Sequence, residues 1–271
     1  MARATLRGRF VWHELLTTDP KAAISFYTRL IGWKTKAWEK DPSYTVLQAD
    51  SGPVGGVMLL PPEAKAMGAP SHWLPYIATP DVNATVETAV RRGAKVLKPV
   101  APIPDAGLFA VVADPSGATF APFTPQTPME LNEPPHQGEF SWHELATTDQ
   151  AKALEFYQEL FGWEKTEAMD MGPAGVYQMF GFAGKSMGGI YNRAKDAKLP
   201  SGWLSYTVVP DSKRVASVVP EAGGKVITEP MEVPGGGIIA TFFDPQGATF
   251  AVHSIAAATA KAQEPAAAGR R

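Results

Sequence analysis

Two glutamates stand where side-chain chemistry is most expected. The strings FVWHELLTTD, from Phe10, and FSWHELATTD, from Phe140, set Glu14 and Glu144 inside apolar runs, two residues after Trp12 and Trp142. The runs have strand composition, and alternate residues of a strand share a face. Each tryptophan therefore projects with its glutamate, while His13 and His143 project the other way. A carboxylate beside an aromatic ring in a partly closed site has a raised pKa, because lost hydration penalises the charged form. Such a group suits a general base or an acceptor for a bound ligand. It also suits a brace for neighbouring backbone N–H groups, and its occurrence in both strings fits that structural role. His253 is a third titratable candidate, with Phe123 at the matching place. Paired with Glu14 or Glu144 it would complete an acid–base couple; alone it is a strand-end histidine half in solvent. His13 and His143 read as imidazoles packed between sheet and helix with satisfied nitrogens. His72 reads as a surface residue, and His136 carries no assigned role.

Composition narrows the choices. The 271 residues include no cysteine, which excludes disulfides, thiolate metal sites and a cysteine nucleophile. The formal net charge of −2 gives no pull toward nucleic acid or an anionic membrane. The expected partner is a small-molecule ligand, with no nucleic acid and no membrane. The segment MARATLRGRF lacks the apolar stretch of a signal peptide, and no run approaches the ~20 apolar residues of a membrane span. The expected location is cytoplasmic. No Gly-x-Ser-x-Gly, HExxH or dinucleotide-binding fingerprint occurs. Gly235-Gly236-Gly237 has no following Lys-Ser/Thr and reads as a loop, matched by Pro104-Asp105-Ala106-Gly107.

The elements that position these residues come twice. An offset of 130 residues joins the two opening strings, Phe26-Tyr27 to Phe156-Tyr157, Gly32-Trp33 to Gly162-Trp163, Trp73 to Trp203, Tyr76 to Tyr206, and Asp114-Pro115 to Asp244-Pro245. Six of seven tryptophans pair this way, which chance does not arrange. The boundaries read as a first domain over 8–125, a Pro-rich linker over 126–138, a second domain over 139–255 and a flexible tail over 256–271. Within a copy, a strand ends at Thr-Thr-Asp. Asp19 is an N-cap, with Pro20 at the first helical position. Ala23, Phe26, Tyr27, Leu30 and Ile31 then recur on one helical face, and Gly32 closes the helix. Strands follow at 33–38, 44–50 and 54–60, with breaks at Asp41-Pro42 and Ser51-Gly52-Pro53. The order restarts with a strand at 73–78, a helix at 81–92, and strands at 94–100, 108–113 and 118–123. Each copy is βαβββ twice, an α+β class in which helices cover one face of mostly antiparallel sheets.

This organisation, with an opening strand running into Asp-(x)n-Phe-Tyr-x-x-x-x-Gly-Trp and a closing Asp-Pro-x-Gly-Ala-Thr-Phe, resembles the vicinal oxygen chelate superfamily. That is the glyoxalase, bleomycin-resistance and extradiol-dioxygenase group, here a tandem repeat of two such domains in a glyoxalase-like or hydroxylase-like subgroup. The resemblance implies curved sheets around one or two clefts. It does not imply a reaction, because fold does not fix function. Metal-dependent members place His, Glu or Gln at three or four cleft positions. Carried onto this chain, those positions hold Trp12, Leu74 and Ala121 in one copy and Trp142, Leu204 and Ala251 in the other. None offers a metal donor. His253 follows Ala251 by two and shares its face. The expectation is a protein that binds a small, aromatic or apolar molecule without a cofactor, in clefts lined by Trp12, Trp142, Leu74, Leu204, Tyr76, Tyr206, Ala121, Phe123 and Ala251. Trp73 and Trp203 line the clefts or pack in the core; Trp33 and Trp163 belong to the core. An alternative is a glyoxalase-like lyase, isomerase or hydroxylase/dioxygenase-like enzyme using Glu14 or Glu144 with His253, with a divalent metal bound outside the family's usual ligand set. A second alternative is a structural protein whose clefts are filled by side chains. The chain is expected as a monomer with an internal pseudo-twofold or as a homodimer.

Overall fold

Two eight-stranded sheets, one per copy, form the frame of the computed structural model, which describes residues 7–127, 134–197 and 199–255. Copy one runs β1 (Phe10–Thr17), α1 (Pro20–Ile31), β2 (Lys34–Trp38), β3 (Asp41–Ala49), β4 (Gly52–Leu59), α2 (Pro62–Ala66), β5 (His72–Ala78), α3 (Val82–Arg91), β6 (Lys95–Ile103), β7 (Gly107–Ala113) and β8 (Thr119–Pro125). Copy two runs β9 (Phe140–Thr147), α4 (Gln150–Phe161), β10 (Glu164–Asp170), β11 (Val176–Phe182), β12 (Lys185–Asn192), β13 (Gly202–Val208), α5 (Ser212–Val218), β14 (Lys225–Glu232), β15 (Ile238–Phe243) and β16 (Thr249–Ser254). The strand orders are β2-β3-β4-β1-β5-β8-β7-β6 and β10-β11-β12-β9-β13-β16-β15-β14. The two βαβββ halves of each copy thus join within that copy, β1 running antiparallel to β5 and β9 to β13.

The helices start and stop where local chemistry dictates. Asp19 and Asp149 accept the backbone N–H of Ala22 and Lys152, and Gly32 and Gly162 end α1 and α4 in the left-handed conformation. Asp81 and Asp211 cap α3 and α5. Two details depart from the sequence reading. Asp41-Pro42 opens β3 instead of breaking the chain, because Asp41 pairs directly with Trp38 in a tight hairpin. Pro62–Ala66 adds a short helix between the strands expected at 54–60 and 73–78. The linker positions 128–133 and the tail 256–271 lie outside the described residues.

The sheets belong to single copies, but two of the three apolar cores do not. One core combines Ile77, Val82, Val112 and Phe120 of copy one with Leu145, Phe156, Tyr157 and Trp163 of copy two. Its counterpart combines Leu15, Phe26, Tyr27 and Trp33 with Val215, Val219, Phe242 and Phe250. The sheets therefore stand back to back with the helices between them, and each concave face turns outward. Burial of each large side chain here contributes roughly 1.5–3 kcal/mol. No helix among the described residues is long and apolar enough to cross a membrane.

Candidate functional site

Strand alternation and the sheet register build the same constellation in both concave faces. On β1, Trp12 and Glu14 point outward into the cleft, with Leu74 opposite Glu14, Tyr76 opposite Trp12, and Ala121 opposite Tyr76. Copy two repeats this with Trp142, Glu144, Leu204, Tyr206 and Ala251. Trp12, Leu74 and Ala121 thus stand on neighbouring strands of one sheet, as do Trp142, Leu204 and Ala251.

A second tyrosine completes each arrangement. In copy one the Trp12 indole donates to the Tyr44 hydroxyl at 2.9 Å, and Tyr76 donates to Glu14 at 3.1 Å. Tyr44 also acts on Glu14, favouring its charged form. In copy two Trp142 donates to Tyr177 at 2.7 Å. Tyr177 and Tyr206 then donate to opposite oxygens of Glu144, each at 2.8 Å. The carboxylate is held between two hydroxyls, one of them oriented by an indole. Room for the second tyrosine comes from glycine, since a Cβ at Gly56 or Gly189 would collide with the ring of Tyr44 or Tyr177.

Tyr44 and Tyr177 were missed from sequence. They lie 133 residues apart, as do Gly55-Gly56 and Gly188-Gly189, because copy two is three residues longer before this point. A search at the main offset of 130 steps over both. The paired Gly-Gly at the second spacing was the available signal.

Burial pushes the pKa of both carboxyls up, and the tyrosine hydroxyls partly oppose it. Glu14 also feels the charge of Lys98, whose ammonium lies 5.5 Å from the Phe109 ring centre. Glu144 feels no resolved cation. Tyr191 stacks near Tyr177, with ring centres 6.0 Å apart; burial and the Glu144 charge push its pKa up to about 12.

The two clefts then diverge. The third apolar cluster fills the first cleft with Val11, Leu16, Leu60, Leu74, Ala121 and Phe123, and Ala64 of α2 packs against it. At seven matched positions the second cleft carries a polar or smaller side chain. Ser141 replaces Val11, Ala146 replaces Leu16, Tyr191 replaces Met58, and Arg193 replaces Leu60. Ile239 replaces Phe109, Thr241 replaces Val111, and His253 replaces Phe123. Val208 against Ala78 runs the other way. Accordingly Glu14, Leu16 and Leu74 are buried, whereas Glu144, Ala146 and Leu204 are half-buried.

His253 lies on the cleft face of β16, with Nδ1 3.2 Å from the Ser141 hydroxyl, and burial lowers its pKa. It shares a cleft with Glu144, with β13 between their strands. Glu14 points into the other cleft, on the opposite side of the molecule, so the structure does not bring His253 to Glu14. Trp73 and Trp203 leave the cleft list, since each donates to a core tyrosine hydroxyl, Tyr27 at 2.9 Å and Tyr157 at 3.1 Å. His13 and His143 do not pack against a helix. Their Nε2 atoms meet at 2.9 Å between the two sheets, with Phe140 and Phe10 stacked on the rings. His72 is half-buried, its Nδ1 2.8 Å from the Pro70 carbonyl oxygen.

The donor set does not fit a divalent ion. The first cleft offers one carboxylate and the second one carboxylate with the His253 imidazole, where such ions take about three protein donors. Among the described residues no three His, Asp or Glu side chains group closely enough to hold a metal.

Two back-to-back curved sheets of paired βαβββ halves, each with a cleft, define a glyoxalase-type fold. The chain belongs to the Glyoxalase/Bleomycin resistance protein/Dioxygenase superfamily, whose family model matches residues 9–121 and 139–252. It is 32% identical over 247 residues to the Mycobacterium tuberculosis protein named "Putative glyoxylase CFP32", covering 89% of this chain and 92% of that protein. It is 29% identical over 259 residues to the anthracycline biosynthesis protein DauV of Streptomyces sp. strain C5, covering 90% and 92%. Among solved structures, the Mn(II)-bound glyoxalase of Novosphingobium aromaticivorans superimposes with a TM-score of 0.61 at 16% identity, over 92% of this chain and 82% of that one. Homoprotocatechuate 2,3-dioxygenase of Brevibacterium fuscum gives 0.64 at 14%, over 96% and 83%. These two likenesses concern the fold alone.

Proposed function

We propose that this protein binds a small aromatic molecule in its second cleft, using a tyrosine-held carboxylate where metal-dependent members use an ion. The observation that carries the reading is the Trp142–Tyr177–Glu144–Tyr206 constellation in a cleft where Glu144 and Leu204 are half-buried, while its twin is packed with leucine and phenylalanine. Aromatic walls with a few convergent polar groups are the ordinary make-up of a small-molecule site. One relative is named for anthracycline biosynthesis, and an anthracycline is a planar fused-ring aromatic, a shape such walls accept. The test is titration with 2-naphthylmethanol, followed by tryptophan fluorescence. We expect saturable binding of one molecule per chain, lost in Trp142→Ala and kept in Trp12→Ala. Loss through Trp12→Ala alone would move the site to the first cleft.

A second reading, proton-transfer catalysis by Glu144, is favoured by its raised pKa and by His253 on the same face. Glu144→Gln would then abolish turnover of any substrate found while leaving its binding within a few fold. Unchanged turnover removes Glu144 from that role.

A further inference from the structure

The two clefts differ in where a positive charge comes from. In the first, Lys98 lies on β6 across from Val111, above the ring of Phe109, and its charge acts on Glu14. The protein thus carries its own counter-charge. In the second, the same register place on β14 holds Thr228, across from Thr241, and Ile239 stands where Phe109 would have supplied the ring platform. Arg193 lies two residues beyond Tyr191, where one guanidinium nitrogen donates to the carbonyl oxygens of Ala197 and Leu199 at 3.2 and 3.4 Å and the buried Nε has no hydrogen-bond partner among the described residues. Glu144 therefore meets the hydroxyls of Tyr177 and Tyr206, with the Trp142 indole and the Tyr191 ring placed against Tyr177, and it feels no cation as Glu14 feels Lys98.

We infer that the second cleft recognises an organic cation, a protonated or quaternary amine borne on an aromatic or apolar body, whose charge takes the place that Lys98 fills in the first cleft. This rests on the small-molecule reading above and names the ligand class for the same site. A carboxylate in a cleft walled by aromatic side chains attracts a cation twice over. The ring faces offer negative potential to a positive group, and the half-buried carboxylate is poorly screened by water. Tyrosine hydroxyls occupy one lone pair on each Glu144 oxygen and leave others for an ammonium donor. A neutral ligand would leave the carboxylate without a counter-charge, and an anionic one would face repulsion.

The experiment compares three probes of one shape on the full chain: (2-naphthylmethyl)trimethylammonium, neutral 2-naphthylmethanol and anionic 2-naphthoate. Affinities are read by tryptophan fluorescence and checked by calorimetry. The cation is expected to bind at least tenfold more tightly than the alcohol, and the carboxylate more weakly than either. Glu144→Gln is expected to reduce the preference below twofold, and Glu14→Gln to leave it intact. Thr228→Lys is the second variant, because it restores the first cleft's counter-charge without touching the tyrosines, and it too is expected to erase the preference. Equal affinity for cation and alcohol, or a preference that survives Thr228→Lys, overturns the cation assignment while the small-molecule reading stands. Failure of all three probes to bind overturns both.

Discussion

Glu144 is pulled two ways, by burial toward the protonated form and by Tyr177 and Tyr206 toward the charged form. Burial wins, so the carboxylate is lost at a higher pH than an exposed glutamate would lose it. Binding of a cationic probe should weaken as pH falls through that raised value. Tyr177→Phe removes one donor that stabilises the charge, so the weakening should move to higher pH. A midpoint that stays or falls, in affinity measured against pH, contradicts this account. The histidine pair makes a separate prediction. Burial holds the His143 pKa down to about 3, and burial together with His143 holds His13 well below its usual value. The unfolded chain takes up these protons near pH 6.5 and the folded chain does not. The stability from the neutral pair is therefore present above pH ~6.5 and is lost as pH falls toward ~3, by up to about 1.4 kcal/mol per pH unit for each histidine. Glu14 and Glu144, with raised folded values, act in the opposite sense. His13→Gln should flatten the slope of unfolding free energy between pH 6.5 and 4; an unchanged slope would assign the acid sensitivity elsewhere.

At the scale of the element, one glycine on β4 and its counterpart on β12 decide whether the cleft constellation exists. Gly56 and Gly189 sit beneath Tyr44 and Tyr177, and any Cβ there displaces the ring. Gly189→Ala should cost about 1–3 kcal/mol in urea unfolding, the usual range for overpacking. It should also weaken probe binding at least tenfold, because Tyr177 no longer reaches Glu144. Gly56→Ala should cost similar stability and leave binding unchanged, since the first cleft is already filled. Equal loss of binding from both would mean that both clefts take ligand. The short helix α2 accounts for part of the asymmetry, since Ala64 packs onto the apolar filling of the first cleft.

Across the whole molecule, the residues that carry the family resemblance turn out to fasten one copy to the other. Tyr27 donates to Asp244 at 3.1 Å, and Tyr157 donates to Asp114 at 3.0 Å. The Trp33 indole donates to Gly138 O, the linker residue just before copy two, and that of Trp163 donates to Gly8 O of copy one. Tyr27→Phe leaves a buried aspartate oxygen short of a donor and should cost about 1.5–3 kcal/mol. Tyr157→Phe should do the same, and the two losses should add, because distant sites are independent. A double variant no less stable than either single one would count against two separate staples. The exposed rim adds specificity. Arg29 pairs with Glu221, whereas the related contact pairs Glu159 with Arg92, so the charge signs are exchanged between copies. A copy paired with itself would set like charges together. Each exposed pair is worth only about 0.2–1 kcal/mol. Arg29→Glu should lose that much at low salt, and adding Glu221→Arg should restore it; failure of the second change to restore stability would dismiss the pairing.

Several features were legible in the chain by itself. The repeat, the capped helices, the strand order within each half and the shared face of Trp and Glu all follow from local rules. Those are residue periodicity, N-cap chemistry and glycine at helix ends, and each acts over a few neighbours. The residue types at positions 12, 74 and 121 were legible too, because they need no fold to be read. The rest needed the tertiary structure. Tyr44 and Tyr177 reach their carboxylates from strands two places away, through a register that an insertion hides. His13 and His143 meet only because two sheets pack back to back. The filling of one cleft and the opening of the other is a sum over side chains from many strands, and Lys98 matters to Glu14 only once β6 closes the far edge of the sheet. Contacts between distant segments are set by global packing, which local sequence rules do not reach.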